Sequence, residues 1–365
     1  ALAIEYQHTA AYTFLGAPKG LQPTAYPWGP LTDSTLYDPA AIDALPRVKY
    51  FDGLGLLVAR SDWSADALYV TFKAGDNYWS HTHLDQGSFT IFHRGALVID
   101  SGAYAGYGTD HHFNYAYQAI AHNVATVTDP LDNVPMPRKD GDPRIIANDG
   151  GQRRIGSGWG IKPAPLDLTE WRENAAIYHT AAITDLDITE SGFTVTADLT
   201  PAYTNAESGR GTFSARTRRV ESYTRIFSLD LGRSNITIRD SLRLTNPEFK
   251  VSWLWHSIEE PVIKPEGFSI GGGPGAGMRR TGVIAIVDNA ASYRIQKIGG
   301  PGKEFWVDGI NYDNNGYVAA FLVKMGQLVA GDWRVAGCAR VASGAVEFWV
   351  ELAVWSAGCG GGGVW

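Results

Sequence analysis

From residue 48 onward the chain is written in short β-rich runs, each cut off by glycine, aspartate or asparagine. VKYFDGLGLLVARS, ALYVTFKAG, GSFTIFHRGALVIDSG and HNVATVTD come first. AAIYHTAAITD, GFTVTADLT, RVESYTRIFSLDL, NITIRDSLRLT and KVSWLWHSIEE continue the series. Runs this short, rich in β-branched and aromatic residues, have no length for a helical stripe. They bury their apolar side chains as strands joined by tight turns. The spacing predicts a mainly β chain built as a large antiparallel sandwich.

Three segments are expected. Residues 1–45 combine a short helical pattern, EYQHTAAYTFLG, with a Pro/Gly-rich extended stretch and one short helix in DPAAIDALPR. They cannot bury a core alone and read as the tail of a preceding element. Residues 46–270 hold the sandwich. The breaker GGGPGAG at 271–277 precedes GVIAIVD, SYRIQKI, YVAAFLVKM and AVEFWVELAVW, so 271–365 is expected to form a smaller C-terminal sheet.

A net charge of −7 argues against a nucleic-acid partner. No apolar run reaches the length of a membrane span. The chain begins at Ala1 and holds only three methionines among twelve tryptophans, which favours a processed, exported protein, secreted or periplasmic. Cys338 and Cys359 form no CxxC pair; one disulfide or two inert thiols both fit.

The chemistry concentrates in YWSHTHLDQGSF, residues 78–89. In a strand, His81, His83 and Asp85 would project from one face. GALVID then ends at Asp100, and SGAYAGYGTDHHFNYAYQAIAHN runs to His122. Two neutral imidazoles and a carboxylate make a Zn²⁺ site, and the same donors accept Mn²⁺, Fe²⁺ or another divalent ion. The plainer reading is a set of buried histidines hydrogen-bonded to carboxylates. His93, His179 and His256 alternate with apolar residues and read as satisfied core histidines.

HTHLDQGSFTIFHRGALVIDSGAYAGYGTDHHFNYAYQAIAHN, with NDGGQRR at 148–154 and TADLTPAY at 196–203, resembles the metal-bearing sheet of the heparinase II/III-like polysaccharide lyases. The wording lies nearest the heparinase II branch. The resemblance implies that His83, Asp100 and His122 hold a zinc ion. It implies that His81 faces the sugar and takes part in proton transfer, with Asp85 orienting a neighbour. Trp79, Tyr104, Tyr107, His112 and Tyr115 become candidate sugar contacts. It implies β-elimination on an acidic, uronic-acid-containing polysaccharide such as heparin, heparan sulfate or alginate. Dimerisation is in keeping with it.

The family places an (α/α) toroid before the sandwich, carrying a catalytic tyrosine and substrate-binding arginines. Residues 1–45 resemble only the end of that toroid and its linker. Tyr6, His8 and Tyr12 are not the catalytic set. The toroid portion is therefore expected in the same precursor or as a partner chain. Two alternatives stand beside the lyase. One is a non-catalytic carbohydrate-binding sandwich stabilised by zinc. The other is a cupin-like metalloenzyme, against which Gly87 and Ser88 occupy the region where a cupin glutamate is due.

Overall fold

A computed structural model describes residues 40–77, 82–102, 109–129, 136–137, 145–146, 150–152, 167–203, 218–271, 281–287, 293–313, 333–339 and 345–356. His81, Trp79, Tyr104, Tyr107, Cys359 and residues 1–39 lie outside them. The described chain is mainly β, with antiparallel pairing throughout its sheets.

The first sheet is a meander of β1 (Val48–Phe51), β2 (Leu56–Arg60), β3 (Leu68–Lys73), β4 (Phe89–His93) and β5 (Ala96–Val98). Alternation sets its register. Leu57 stands opposite Phe72 and Val70 opposite Ile91, all on the buried face. A four-stranded sheet is ordered Tyr293–Gly299 (β17), Trp333–Ala339 (β20), Lys250–Ser257 (β13) and Ala125–Thr128 (β6). The two meet edge to edge, and the Ile99 amide donates to the His256 carbonyl at 3.0 Å across the seam.

An eight-stranded sheet faces them. Its order is β14 (Val262–Lys264), β15 (Gly267–Gly271), β16 (Thr281–Val287), β21 (Ala345–Ser356), β12 (Asn235–Leu244), β11 (Val220–Asp230), β10 (Gly192–Asp198) and β9 (Ala182–Thr189). One apolar core fills the space between layers. Phe227 lies 5.0 Å from Phe72 and 5.4 Å from Phe89, ring centre to ring centre, and Trp253 stacks on Phe348 at 4.2 Å. Each such ring removed from water contributes roughly 1.5–3 kcal/mol.

The expected separate sheet over 271–365 is corrected among the described strands. β16 and β21 enter the eight-stranded sheet beside β12, while β17 and β20 extend the four-stranded sheet beside β13. β15 and β16, the strands on either side of the glycine run, are antiparallel neighbours in the eight-stranded sheet, so the chain before and after it shares one layer. The only described pairing that stays outside both layers after residue 271 is the small hairpin of Trp306–Val307 (β18) with Ile310–Asn311 (β19).

β13 is buried on both faces. Val251, Trp253 and Trp255 join the main core; Leu254 packs outward with Tyr115, Ile120, Val307 and Ala336. The connection 109–122 therefore lies against the outer face of the four-stranded sheet, beside the seam.

Candidate functional site

Residues 74–88 connect β3 to β4, and the described part from Thr82 to Ser88 is a looped excursion, not the expected strand. Its backbone groups are satisfied by buried amides instead of a ladder. Gln86 Oε1 accepts from the Gly75 amide at 2.8 Å, and Gln86 Nε2 donates to Asn77 Oδ1 at 2.8 Å. Asn77 Nδ2 donates to the His83 carbonyl at 3.2 Å. Gln152, after the Gly150-Gly151 turn, exchanges two 3.1 Å bonds with the Gln86 backbone. Gly87 closes the excursion at φ +86°, where an added Cβ would lie 2.6 Å from Leu199 Cδ1.

This path carries the His83 ring to 5.2 Å from the His122 ring and 4.6 Å from that of Tyr117. His122 Nδ1 lies 3.2 Å from Asp100 Oδ1, and Ser88 Oγ donates to the same oxygen at 3.4 Å. Asp100 keeps half its side chain open, at 52% exposure. His122 is 1% exposed, and its Nε2 has no hydrogen-bond partner among the described residues. Lys73 Nζ holds both carboxylate oxygens of Asp85, at 2.7 and 2.8 Å.

Burial, with His122 beside it, pushes the His83 imidazole down to about 4, so it is neutral at pH 7 and available as a ligand. Burial opposes ionisation of Asp100, but His122 and then His83 outweigh it and hold the carboxyl below its usual value.

The donors have the character of a zinc site: two imidazoles, one carboxylate and no thiolate. Ligands on one tetrahedral ion stand about 3.3 Å apart, atom to atom, and two such imidazoles about 5 Å apart by ring centre. The pairs here, at 3.2 and 5.2 Å, have that spacing. Among the described residues no group of three His, Cys, Asp or Glu side chains closes on one point.

Two expected sugar contacts are corrected. His112 and Tyr115 begin a wide helical turn in which the Tyr117 amide reaches the His112 carbonyl at 3.2 Å. They are 2% and 1% exposed. Tyr115 packs against Phe305 and shares a 2.7 Å bond with Ser101 Oγ; His112 meets Tyr117 edge-on. Their aromatic character serves the outer face of β13. His256 is the satisfied core histidine expected, fully buried with Nε2 on the Ile120 carbonyl at 2.9 Å. His179 is not: it is partly exposed and bonds Asp76 Oδ1 at 2.8 Å.

Sequence reading missed Asn123, Arg225 and Asp240. Arg225 and Asp240 form a fully buried ion pair, and Arg225 Nη1 donates to the carbonyls of Gly87 at 2.6 Å and Asn123 at 3.3 Å. The available signal was a charged residue placed at a core-facing position on each of two neighbouring strands.

Residues 43–153 match the family model described as heparinase II/III-like, C-terminal. This stretch is heparinase II/III-like. The match spans the His83 excursion, Asp100 and His122, and it does not separate the heparinase II branch from the heparinase III branch. Among solved structures, the chain is similar to the heparan sulfate lyase HepC from Pedobacter heparinus, at 12% identity and a TM-score of 0.51. The likeness covers 85% of this chain and 36% of that one. It is also similar to heparinase III, the BT4657 gene product, at 14% identity and a TM-score of 0.50, over 84% of this chain and 36% of that one. The chain thus spans about a third of the length of these neighbours, which share its fold. No curated protein matches it. No helix of the described residues is long and apolar enough to cross a membrane.

Proposed function

We propose that this chain is the β-sandwich portion of a polysaccharide lyase that cleaves an acidic, uronic-acid-containing polymer by β-elimination. The observation that carries the reading is the approach of His122 to both His83 and Asp100 within the segment that matches the heparinase II/III-like family. The same match favours the lyase over the cupin-like alternative.

The reaction removes the C5 proton of a uronate and expels the oxygen on C4. That proton is weakly acidic, so the neighbouring carboxylate must be neutralised as charge develops on it. A base takes the proton and an acid protonates the leaving oxygen. His81 is the residue we assign to this chemistry from the present chain. His83, Asp100 and His122 would hold zinc, which fixes the loops beside the cleft when bound. The neutral His83 and the ionised Asp100 are in the protonation states that ligation requires. We further propose that a helical toroid, in the same precursor or as a partner chain, supplies the catalytic tyrosine and the arginines, and that the enzyme works outside the cytoplasm.

The test is to purify the enzyme in full from its source and assay heparan sulfate, heparin, alginate, hyaluronan and chondroitin for the ultraviolet absorbance of unsaturated uronate. Product from one of them, abolished in His81→Ala, is the expected result. Binding to a polymer without any unsaturated product would overturn the lyase in favour of a carbohydrate-binding sandwich.

A further inference from the structure

Asn123 occupies an unusual place, fully buried at the seam between the five- and four-stranded sheets. Its Nδ2 donates to the Phe89 carbonyl at 2.7 Å and to the Ile99 carbonyl at 2.8 Å. Its Oδ1 accepts from the His256 amide at 2.8 Å. The side-chain amide thus does for the seam what a peptide group does inside a ladder. It gives two donors to one sheet and one acceptor to the other. The Asn123 backbone is held as well. Its amide donates to Ser88 Oγ at 3.2 Å, and its carbonyl accepts from Arg225.

Two of these partners, and Asn123 itself, adjoin the metal-binding candidates. Ile99 precedes Asp100, Asn123 follows His122, and Ser88 Oγ passes its own hydrogen to Asp100 Oδ1. The two strand ends that present Asp100 and His122 are therefore spaced by one carboxamide. Aspartate is isosteric but has no hydrogens for the two carbonyls, and serine is too short to span them.

We propose that Asn123 is the positioning residue of this site, setting the separation of Asp100 and His122 through its amide bridge and through Ser88. The claim rests on the zinc-site reading above. Outer partners of metal ligands typically alter metal affinity by roughly 10–100-fold, and a loss of that size is expected here.

The experiment titrates Zn²⁺ into the metal-free protein against a competing chelator for wild type, Asn123→Asp, Asn123→Ser and Ser88→Ala. Leu352→Ala, a fully buried change in β21, serves as a control for general destabilisation. Circular dichroism selects a temperature at which all are folded. Weaker zinc binding in the Asn123 variants, with Leu352→Ala at the wild-type value despite a comparable loss of melting temperature, is the expected result. Wild-type affinity in a folded Asn123→Ser protein would overturn the proposal. If the Asn123 variants do not fold, Ser88→Ala decides it in the same way.

A separate readout isolates the zinc reading from this one. If wild type binds no zinc, that reading fails, and ¹⁵N-histidine NMR of metal-free protein judges the positioning role. A displaced His122 Nδ1 resonance in Asn123→Ser but not in Leu352→Ala supports it; an unmoved resonance in both overturns it.

Discussion

Replacing Arg225 by methionine tests the buried core polar group from which the site hangs. Asp240 accepts from Arg225 Nε at 2.7 Å, Arg225 Nη2 at 2.6 Å, Trp253 Nε1 at 2.7 Å and Tyr223 Oη at 3.0 Å. Its carboxylate is saturated, and neither charge meets water, with 3% and 0% side-chain exposure. Arg225→Met keeps the apolar stem but leaves Asp240 with two neutral donors. It also strips a donor from the Gly87 and Asn123 carbonyls. Breaking a buried pair on one side costs about 3–5 kcal/mol. At about 2–4 °C per kcal/mol for a large domain, the melting temperature should fall by roughly 6–20 °C. The assay is calorimetry of wild type, Arg225→Met, Asp240→Leu and the double variant. The double variant should recover part of the loss, since it removes the stranded charge, though Trp253 and Tyr223 then lack their acceptor. A single-variant loss below about 1 kcal/mol, or a double variant no better than the sum of the singles, would refute the reasoning.

Gly87→Ala meets both a left-handed φ and Leu199 Cδ1 at 2.6 Å, and should destabilise by about 1–3 kcal/mol in urea titration. Tyr115→Phe loses the 2.7 Å bond to Ser101 and should cost about 1 kcal/mol in the same assay. Metal-free protein should lose stability in acid. His83 is held near 4 when folded but takes up a proton near 6.5 when unfolded, so the unfolded state binds more protons between those values. Stability then rises with pH across that window, by up to about 3 kcal/mol in total. Urea midpoints at several pH values should show the slope in wild type and a flatter one in His83→Gln; equal slopes would sink the assignment.

The layers were legible because burial alternates along β2, β3 and β12 as the apolar pattern does. The strands after residue 271 were legible as strands but not as members of the same sandwich, since partners that tie them into it, such as β13 for β20, lie far back in the chain. β12 pairs with β21, for example. The family resemblance, not spacing, named His83, Asp100 and His122, of which His122 lies beside the other two, while spacing assigned the wrong backbone to His83. An HxHxD row reads as a strand until Gly87, Gln86 and Asn77 are seen to satisfy its backbone from the side. His112 and Tyr115 looked like sugar contacts because nothing local reveals that β13 is covered on both faces.

The placement of the site follows from the seam. Inside a ladder, backbone groups are consumed by neighbouring strands, and side chains can leave only perpendicular to the sheet. Where two sheets meet edge to edge, that rule lapses. Strand ends such as Ile99–Asp100 and the segment before β6 are free to turn their side chains toward one another. The freedom has a cost, because buried amides and carbonyls at the seam lose their regular partners. Asn123, Ser88, His256 and Arg225 supply replacements. Removing the Asn123 or Ser88 side chain should therefore disturb the site before the sandwich. Hydrogen exchange makes the distinction measurable. In Asn123→Ser the amides of Ile99 and His256 should exchange faster while those of Ile238 and Val350, paired deep in the eight-stranded sheet, keep wild-type protection. Uniform loss of protection across both would mean that Asn123 holds the whole fold and not the seam.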